Sequence, residues 1–415
     1  MIEATEKKEQ PIELKKHQGL HFPWVALFFT AVPFICLAVP IYVIRPFRPQ
    51  DSSQLAAALT VRSLGPWLSA ISVVVVFVIT ARAWGRLKRV LPRLGMAVLC
   101  LLAIAGACLT NVNIFEVMFH PYASPAFTDV RSAQVDSDDK VLAIKINGGA
   151  RAYPIRTMGY HHIVNDTVGG APLAVTYCTL CHTGMVWSRI LDGRTLHFRL
   201  AGINNGNALM LDEETSSIWQ QSTGEAIHGS LKGQHLSLIH SDEMTFALWR
   251  SEQPTGQVLK PDPKYAAEYD PKDWEKHVEK TRTVIDTSKS GIAPHELMLG
   301  ITIAGQSKAY PMKSVLAAKV IQDQIGEVPV LIVVGPDETS FRIFKGTLNA
   351  SPMTFTATTE AGSVMRDTET GSDWNFEGCT VAGKLAGHCL QALDGNKDYW
   401  FDWLNHHPNT RVFRG

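Results

Sequence analysis

The segment TYCTLCHTG contains two cysteines and a histidine, at Cys178, Cys181 and His182. A Cys-x-x-Cys pair can exchange electrons as a dithiol, bind a soft metal ion through its thiolates, or form a structural disulfide. The sequence CTLCH also has the cysteine and histidine spacing of a c-type haem attachment site. The surrounding residues, and the elements that carry them, decide between these hypotheses.

A second group of candidate residues precedes the cysteines, in the segment YHHIVND. We expect His161 to act on the pair, either as a base that raises the thiolate fraction or as a metal ligand. In the metal hypothesis, Cys178 and Cys181 bind copper or zinc together with His161 and His162. The residues expected to support the site are Tyr160, His162, Asn165, Asp166, Tyr177, His182, Asn205 and Trp219.

Two similar segments follow one another in the C-terminal region, which predicts two tandem repeats of one β-rich unit. ARAYPIRTMGYHHIV aligns with SKAYPMKSVLAAKVI, and MLDEETSSIW aligns with MRDTETGSDW. Short apolar runs rich in Val, Ile and aromatic residues indicate a mainly β fold. Short helices are expected at TMGYHHIV, MKSVLAAKV and FALWRSEQ.

Chemistry is expected where the two copies differ, because positions that both copies retain are explained by packing and turns. His161 aligns with Ala318, whereas Cys178 and Cys181 align with Gly335 and Glu338. The first copy is therefore the candidate functional one.

The second copy also predicts the local structure around the cysteines. Its segment PVLIVVGPDETSFRIFKG is typical of a strand, a turn and a second strand, so the cysteines should lie in a hairpin turn. Thioredoxin-like pairs instead open a helix, whose dipole lowers the thiol pKa. A hairpin turn also lacks the short helix that presents a haem-attachment motif, which disfavours c-type haem.

Another cysteine pair, Cys379 and Cys389, flanks the segment TVAGKLAGH, a candidate hairpin. The two positions would face each other across the strands, so we expect a structural disulfide. The corresponding positions of the first copy are Glu225 and His235.

Three apolar stretches occupy residues 22–44, 64–81 and 94–115, each near the ~20 residues that span a bilayer. The second connection, RAWGRLKRVLPR, is strongly basic and should be cytoplasmic. The N-terminus should then be cytoplasmic and the region after about residue 120 extracytoplasmic, in a cell (inner) membrane protein. Equal numbers of basic and acidic residues, 39 each, argue against a nucleic-acid partner.

The predicted domain organisation follows from these patterns. Residues 1–120 form a tail and three transmembrane helices, and residues 121–260 form the first β-rich repeat with the Cys-x-x-Cys site. Residues 261–296, charged and poor in aliphatic side chains, should form a connector over the surface. Residues 297–415 form the second, degenerate repeat.

The segments HHIVNDTVGGAPLAVTYCTLCHTG and GNALMLDEETSSIWQQSTGEAIHGSLKG resemble the domain-of-unknown-function family 3179, over nearly all of residues 123–415. The family pattern is similar to HEIVND and YCPLCxT, so His161, Asn165, Asp166, Cys178 and Cys181 carry over. A histidine, His162, replaces the usual glutamate. Some relatives carry selenocysteine at the cysteine motif, so the resemblance implies a redox-active pair.

These observations predict a membrane-anchored extracytoplasmic protein whose Cys-x-x-Cys site performs thiol–disulfide redox chemistry. One alternative is a copper- or zinc-binding module, and another is a structural or interaction protein with a stapled turn. The expected partners are the lipid bilayer and a redox or metal-delivery protein.

Overall fold

The computed structural model describes residues 22–45, 47–120, 122 and 124–415. The chain divides into two compact units. The first contains Ala56–Val112 and the segment that ends at Val43, and the second contains Ile44–Leu55 and Asn113–Gly415. We call residues 140–259 the first half and residues 297–413 the second half.

The first unit consists of apolar helices: α1 (Phe22–Val43), α2 (Ser52–Trp84) and α3 (Val90–Leu109). Each is long and apolar enough to cross a membrane, with mean hydropathies of 2.3, 2.2 and 2.0 over the most apolar stretches. The three apolar helices that the sequence predicts are confirmed.

The third apolar stretch is shorter as a helix than the sequence predicts. Helix α3 ends at Leu109, and Asn113 caps a separate helix, α4 (Ile114–Met118), by accepting a hydrogen bond from the Phe115 amide. Asparagine favours such caps because its side chain competes for backbone hydrogen bonds.

Three further short helices of the second unit are α5 (Ile155–His161), α6 (Phe246–Glu252) and α7 (Trp274–Val278). Two more follow, α8 (Met312–Ala318) and α9 (Trp400–His406). Helices α5, α6 and α8 lie where the sequence predicts them. Both α5 and α8 begin directly after a proline, Pro154 or Pro311, which cannot donate a backbone hydrogen bond.

Short strands are the main regular secondary structure of the second unit, as expected for a mainly β region. Up to residue 259 they are β1 (Phe127–Asp129), β2 (Lys140–Ile146), β3 (Gly149–Pro154), β4 (Ile163–Val168), β5 (Ala171–Cys178), β6 (Thr183–Ser188), β7 (Ile190–Leu191), β8 (Arg194–Thr195), β9 (Phe198–Asn204), β10 (Asn207–Asp212), β11 (Ile218–Gln220), β12 (Ala226–His228), β13 (Asp242–Thr245) and β14 (Gln257–Leu259). The main sheets have the orders β1-β14-β3-β2-β13, β4-β5-β6 and β12-β11-β10-β9.

The second half has a similar series of strands. They are β15 (Leu297–Ile303), β16 (Gln306–Pro311), β17 (Val320–Ile325), β18 (Val328–Val334), β19 (Phe341–Lys345), β20 (Thr347–Leu348), β21 (Ser351–Pro352), β22 (Phe355–Ala357), β23 (Met365–Asp367), β24 (Asp373–Trp374), β25 (Thr380–Ala382), β26 (Ala392–Leu393), β27 (Asn396–Tyr399) and β28 (Arg411–Val412). The sheet orders are β27-β15-β16-β28, β17-β18-β19-β26 and β22-β23-β24-β25.

Both halves use the same buried hydrogen bonds at corresponding places. The indole of Trp219 donates to Asp212 Oδ2 at 2.8 Å, and the indole of Trp374 donates to Asp367 Oδ2 at 2.9 Å. All four side chains are buried, so each carboxylate satisfies an indole N–H that would otherwise be unpaired in the core.

The two halves share their cores. One cluster of buried side chains combines Met244 and Trp249 of the first half with Leu331, Phe344 and Trp374 of the second. Another places Tyr399 and Phe401 of the second half against Tyr177, Cys178 and Cys181 of the first. The cysteine turn is therefore packed by both halves.

The segment between the halves is more than the surface connector that its composition suggests. Trp274 of α7 is 5 % exposed and packs into the core of the first half. Burial of this large ring outweighs the charged composition of the segment, which therefore contributes side chains to the region of the cysteines.

Cys379 and Cys389 face each other on an isolated antiparallel bridge and are joined by a disulfide. Glu225 and His235 form the corresponding bridge in the first half. The facing geometry that the sequence predicts is present in both halves, and only the second half has a covalent link there.

Candidate functional site

Cys178 and Cys181 lie at the end of a β-hairpin, as the sequence predicts. Strands β5 and β6 pair from Leu173↔Ser188 to Cys178↔Thr183. Residues 179–182 form the turn between them. Strand β5 is rich in buried β-branched and aromatic residues, which suit a strand that is covered on both faces.

The two cysteine thiols are free and adjacent. Their Sγ atoms are 3.4 Å apart, and Cys178 Sγ also lies 3.6 Å from the Gly206 carbonyl oxygen. The side chains are 2 % and 0 % exposed. Burial, the bond to Cys178 and the nearby carboxyl groups of Asp402 and Asp398 raise the pKa of Cys181 well above its usual value. The raised pKa favours the protonated thiol at Cys181.

Two buried carboxyl groups of the second half lie beside the cysteine turn. The Thr183 hydroxyl, which follows the turn, is 2.9 Å from Asp398 Oδ1, 3.3 Å from Asp402 Oδ2 and 3.4 Å from the Cys181 carbonyl oxygen. Burial and the neighbouring Asp402 raise the pKa of Asp398 well above its usual value. The cost of ionising a second carboxyl group beside a buried one favours the protonated form of Asp398.

The two carboxyl oxygens of Asp402 have different surroundings. Its Oδ2 accepts a hydrogen bond from the Asn207 amide at 2.9 Å. Its Oδ1 is buried and accepts no hydrogen bond from the residues that the structure describes, with His406 Nε2 3.5 Å away. Oδ1 therefore faces the His406 ring of the same helix.

Gly206 is required by the close packing behind the thiols. Its φ is +108°, and a Cβ atom there would lie 3.0 Å from the Phe401 ring and 3.9 Å from Cys181 Sγ. A side chain would also be strained at this φ. Leu180, Gly206 and Phe401, with Phe47 and residues 281–284, line a small surface groove beside the turn.

The predicted supporting residue Asn205 connects this region to the loop between α1 and α2. Its side chain accepts from the Gln50 amide at 2.8 Å and donates to the Gln50 carbonyl at 3.1 Å. The neighbouring Asn204 donates to Gln50 Oε1 at 3.1 Å. The loop between α1 and α2 therefore holds Asn204 and Asn205 in place. The residue after them, Gly206, contacts Cys178.

His182 and Tyr177 belong to a buried ionic network. His182 Nε2 is 2.8 Å from Glu275 Oε1, and its Nδ1 is 3.1 Å from the Tyr177 hydroxyl. That hydroxyl donates to Glu243 Oε2 at 3.1 Å, and Lys397 donates to Glu243 Oε1 at 3.0 Å. The hydrogen bond with His182 and the charge of Lys140 hold the pKa of Glu275 well below its usual value.

The structure places His161 in a separate aromatic cluster. Its Nδ1 is 2.6 Å from the His120 carbonyl oxygen and its Nε2 is 3.1 Å from the Tyr269 hydroxyl. The predicted supporting residue Tyr160 shares this cluster, with its hydroxyl 2.8 Å from His120 Nδ1. Burial lowers the pKa of His161. Both ring nitrogens are thus engaged away from the thiols, and the expected base for the pair is not brought to it.

His162 is also directed elsewhere. Its ring packs 4.6 Å from Phe119, its Nδ1 is 3.2 Å from the Tyr160 carbonyl oxygen, and burial lowers its pKa to about 4. The described residues contain one group of three or more metal-ligating side chains within 4.8 Å, and it is the surface trio Asp136, Asp138 and Asp139. The cysteines and the two histidines do not converge in this conformation.

Two other predicted residues make contacts that the second half repeats. The Asn165 side chain bonds both the amide and the carbonyl of Phe198, as Gln322 does with Phe355. Asp166 accepts from Tyr153 and Arg151, as Asp323 pairs with Tyr310 and Lys308. Trp219 likewise has its counterpart in Trp374. These residues position strands rather than thiols.

Asp270 is a residue that the sequence did not single out. Its buried Oδ2 has no hydrogen-bond partner among the described residues. The carboxyl group lies beside Gly159 of α5 and near Thr179 of the cysteine turn. Burial raises the pKa of its carboxyl group to about 6. Its position in the connector gave no indication that it would meet the turn.

Comparison with known proteins gives one match. The model of the family described as "Protein of unknown function (DUF3179)" matches residues 121–410. No curated protein and no solved structure matches the chain.

Proposed function

The chain belongs to the DUF3179 family, a family of unknown function, and we propose that it is a membrane-anchored thiol–disulfide exchange protein. The observation that carries the proposal is the pair of free thiols at Cys178 and Cys181, whose sulfur atoms are 3.4 Å apart. Their neighbours Leu180 and Gly206 line a small surface groove. A small rotation of the side chains brings the sulfurs to the ~2.0 Å of a disulfide bond.

The exchange transfers two electrons from the protein to a partner disulfide. The Cys178 thiolate attacks one partner sulfur, so a mixed disulfide forms and the first partner thiolate leaves. Cys181 then loses its proton and attacks Cys178 Sγ, and the second partner thiolate leaves. The protein pair is oxidised to a disulfide, and the two protons lost by the cysteines end on the two partner thiols.

We assign the chemistry to the first of two tandem repeats of one unit. The similar order of elements and the corresponding hydrogen bonds of Trp219 and Trp374 support the tandem repeat. Gly335 and Glu338 replace the cysteines in the second repeat. The second repeat thus has no dithiol of its own at this turn.

The proposed orientation puts the site in an oxidising compartment of the cell envelope. The basic connection between α2 and α3 is cytoplasmic in this topology, as is the N-terminus, and the chain spans the inner membrane three times. Support comes from the three apolar helices and from the disulfide between Cys379 and Cys389, which suits an extracytoplasmic location.

Redox exchange is preferred to copper or zinc binding because of the histidines. A four-ligand site with Cys178, Cys181, His161 and His162 requires the two rings to leave their bonds to His120, Tyr269 and Tyr160. The dithiol needs no such rearrangement. Metal analysis of the purified protein separates the two functions.

A redox titration of the full-length protein in detergent tests the proposal. The protein is equilibrated in mixtures of reduced and oxidised glutathione, quenched in acid, unfolded, and labelled with a maleimide for mass spectrometry. We expect two labels to be lost together at Cys178 and Cys181 as the buffer becomes more oxidising. Cys178→Ser and Cys181→Ser should each prevent formation of the intramolecular disulfide.

The matched control is the double variant Cys379→Ser/Cys389→Ser, which removes the other disulfide and should leave the titration of the first pair unchanged. Full labelling of Cys178 and Cys181 in the most oxidising buffer would overturn the proposal. So would a stoichiometric metal ion that is released when both cysteines are replaced.

A further inference from the structure

A cleft of about 240 Å³ lies between the two halves and shares no lining residue with the groove beside the cysteine turn. Strand β6 and the turn after β11 contribute one wall, and β15, β27 and α9 of the second half contribute the other. Leu238, one of the lining residues, is 41 % exposed, so the cleft opens to the surface. Its volume equals that of roughly eight molecules of liquid water, which is enough for a small ligand.

The apolar part of the lining comes mainly from the buried side chains of Met185, Trp187 and Trp403. Gly300 allows Trp403 to pack closely on β15, because a Cβ atom at this glycine would overlap the Trp403 ring. The His407 ring stacks on Trp403 with ring centroids 3.9 Å apart. Burial lowers the pKa of His407 to about 4, so this ring is uncharged at neutral pH. The wall is therefore aromatic and neutral.

The polar part of the lining offers hydrogen bonds without a free charge. Ser222 Oγ is buried and has no hydrogen-bond partner among the described residues, which is rare for a buried hydroxyl. Ser241 and Asn396 add a second hydroxyl and an amide. Among the described lining residues there is no lysine or arginine, and the single acid, Asp394, is paired with His240 at 2.8 Å. A ligand here meets hydrogen-bonding groups and no unpaired ion.

Charged residues occupy the corresponding place in the contact between the halves. Arg342 of β19 binds Asp242 and Glu252 of the first half, each at 2.8 Å. These three side chains are at most 16 % exposed. Lys145 of the first half and Glu377 of the second form another ion pair, at 3.7 Å. The halves are therefore joined by ion pairs at this place.

The cleft has none of these charges. Strand pairing, the ends of α6 and α9, and the turns after β11 and β24 fix the corresponding positions in the two halves. In the order Arg342, Asp242, Glu252, Lys145 and Glu377, the corresponding residues are Met185, Asn396, His406, Thr302 and Ser222. Each lysine, arginine or acid is thus replaced by another type of residue, and the space between the halves stays open.

We propose that this cleft is a binding site for a small neutral sugar. Ligand sites typically combine apolar walls with a few polar groups that fix orientation. A sugar ring offers C–H groups to Met185 and the indoles, and hydroxyl groups to Ser222, Ser241 and Asn396. Phosphate and carboxylate ligands are recognised through arginine or lysine, which this lining lacks. The site goes beyond the thiol–disulfide function and does not depend on it.

Ligand-observed saturation-transfer NMR on the full-length protein, in a detergent without a sugar headgroup, tests the proposal. The probes are neutral N-acetylglucosamine, glucuronate, which has a similar ring and a carboxylate, and cyclohexanol, which has a ring with a single hydroxyl. We expect saturable binding of N-acetylglucosamine. Glucuronate should bind at least about tenfold more weakly, because the cleft has no cation for its carboxylate. Cyclohexanol should also bind more weakly, because it makes fewer hydrogen bonds.

Two variants test the location of the site. Ser222→Ala should weaken binding of N-acetylglucosamine by roughly 3- to 10-fold, because one hydrogen bond to the ligand is lost. It should not lower the Tm, since Ser222 Oγ bonds none of the described residues. The matched control is Ser230→Ala, an exposed serine outside the lining, which should bind as wild type does. Met185→Arg/Asn396→Asp introduces an ion pair like that of Arg342 with Asp242, and it should fill the cleft and abolish binding.

The absence of saturable binding of N-acetylglucosamine to wild type would overturn the proposal. Glucuronate or cyclohexanol binding at least as tightly would also overturn it, as would unchanged binding in Ser222→Ala and the double variant. Ser222→Ala alone decides the location where the double variant does not fold. None of these outcomes changes the redox titration of Cys178 and Cys181, so failure of this site is distinct from failure of the proposed function.

Discussion

The two hairpin turns at residues 179–182 and 336–339 have the same framework but satisfy their polar groups differently. In the second half, Asp337 bonds the amides of Thr339 and Ser340, the hydroxyl of Ser340, and the hydroxyl of Thr245 from the first half. That turn is closed by its own aspartate, as is common for aspartate in turns.

The turn of the first half has Leu180 in the place of Asp337, and two thiols flank it. Its carboxyl groups come from the facing strand and helix of the other half, at Asp398 and Asp402. A change of a few side chains on a similar framework thus replaces a turn that is bonded mainly by its own aspartate with a turn that meets buried carboxyl groups of the other half. The second half supports that site although it has no cysteines at its own turn.

The largest expected effect comes from the ion pair that joins the halves. Glu243 lies opposite Leu142 in the sheet of the first half, and Lys397 lies opposite Leu299 in the sheet of the second. The two charged residues therefore occupy corresponding strand positions, and they form an ion pair with each other. Both side chains are buried. Lys397→Met leaves Glu243 without its closest cation, and we expect it to lower the free energy of unfolding by about 3–5 kcal/mol. Urea unfolding followed by tryptophan fluorescence measures the change.

The double variant Lys397→Met/Glu243→Gln is the control for this effect. It removes both charges and keeps an acceptor for the Tyr177 hydroxyl, so most of the lost stability should return. A double variant as unstable as Lys397→Met alone would mean that packing at this position, rather than the uncompensated charge, holds the halves together.

A smaller effect is expected from the backbone behind the thiols. Gly206→Ala places a methyl group 3.0 Å from the Phe401 ring at a φ of +108°, and we expect a loss of about 1–3 kcal/mol in the free energy of unfolding. The matched change is Gly362→Ala in the loop between β22 and β23, where φ is +79° and no heavy atom lies within 4 Å of the added carbon. That variant should lose only about 1 kcal/mol from its backbone conformation.

Thermal unfolding measures both glycine variants, and the redox titration of Cys178 and Cys181 is repeated on each. Only Gly206→Ala should shift the titration, because only Gly206 contacts the thiols. Equal losses of stability in the two variants would show that the close approach to Phe401 is relieved by movement of the ring.

Much of the framework could be predicted from the sequence, because it depends on local patterns. The hairpin around Cys178 follows from alternation and from the turn residues of the second half, and the facing positions of Cys379 and Cys389 follow from strand pairing. The three apolar helices follow from hydropathy alone. These features need no knowledge of which elements pack together.

The contacts of the candidate site could not be predicted in the same way, because they join residues far apart in the chain. His161 was expected beside the thiols because the second copy has Ala318 in its place, yet its ring is held by His120 and Tyr269. Asp398 and Asp402 were not singled out. The same comparison of the halves that identified the cysteines could have found them, since acids there replace Met244 and Leu248.

The smallest expected effect comes from Asp270, whose buried carboxyl group borders the cysteine turn. Burial raises the pKa of its carboxyl group from the usual 3.8 to about 6, so the folded protein binds this proton more tightly than the unfolded chain does. Stability should therefore fall as the pH rises from about 4 to about 6 and level off above that, where the buried carboxylate is charged.

Asp270→Asn should remove this fall and stabilise the protein above pH 6 by roughly 1 kcal/mol, since an amide carries no charge to bury. The Asp270 amide donates to the Arg156 carbonyl, and Arg156 Nε donates to the Asp270 carbonyl; neither bond uses the Asp270 side chain, so both should be kept. Urea unfolding at a series of pH values between 4 and 8 measures the difference. A variant that is less stable than wild type at pH 7 would mean that the carboxylate, though without a hydrogen bond, is held favourably by the Arg156 charge.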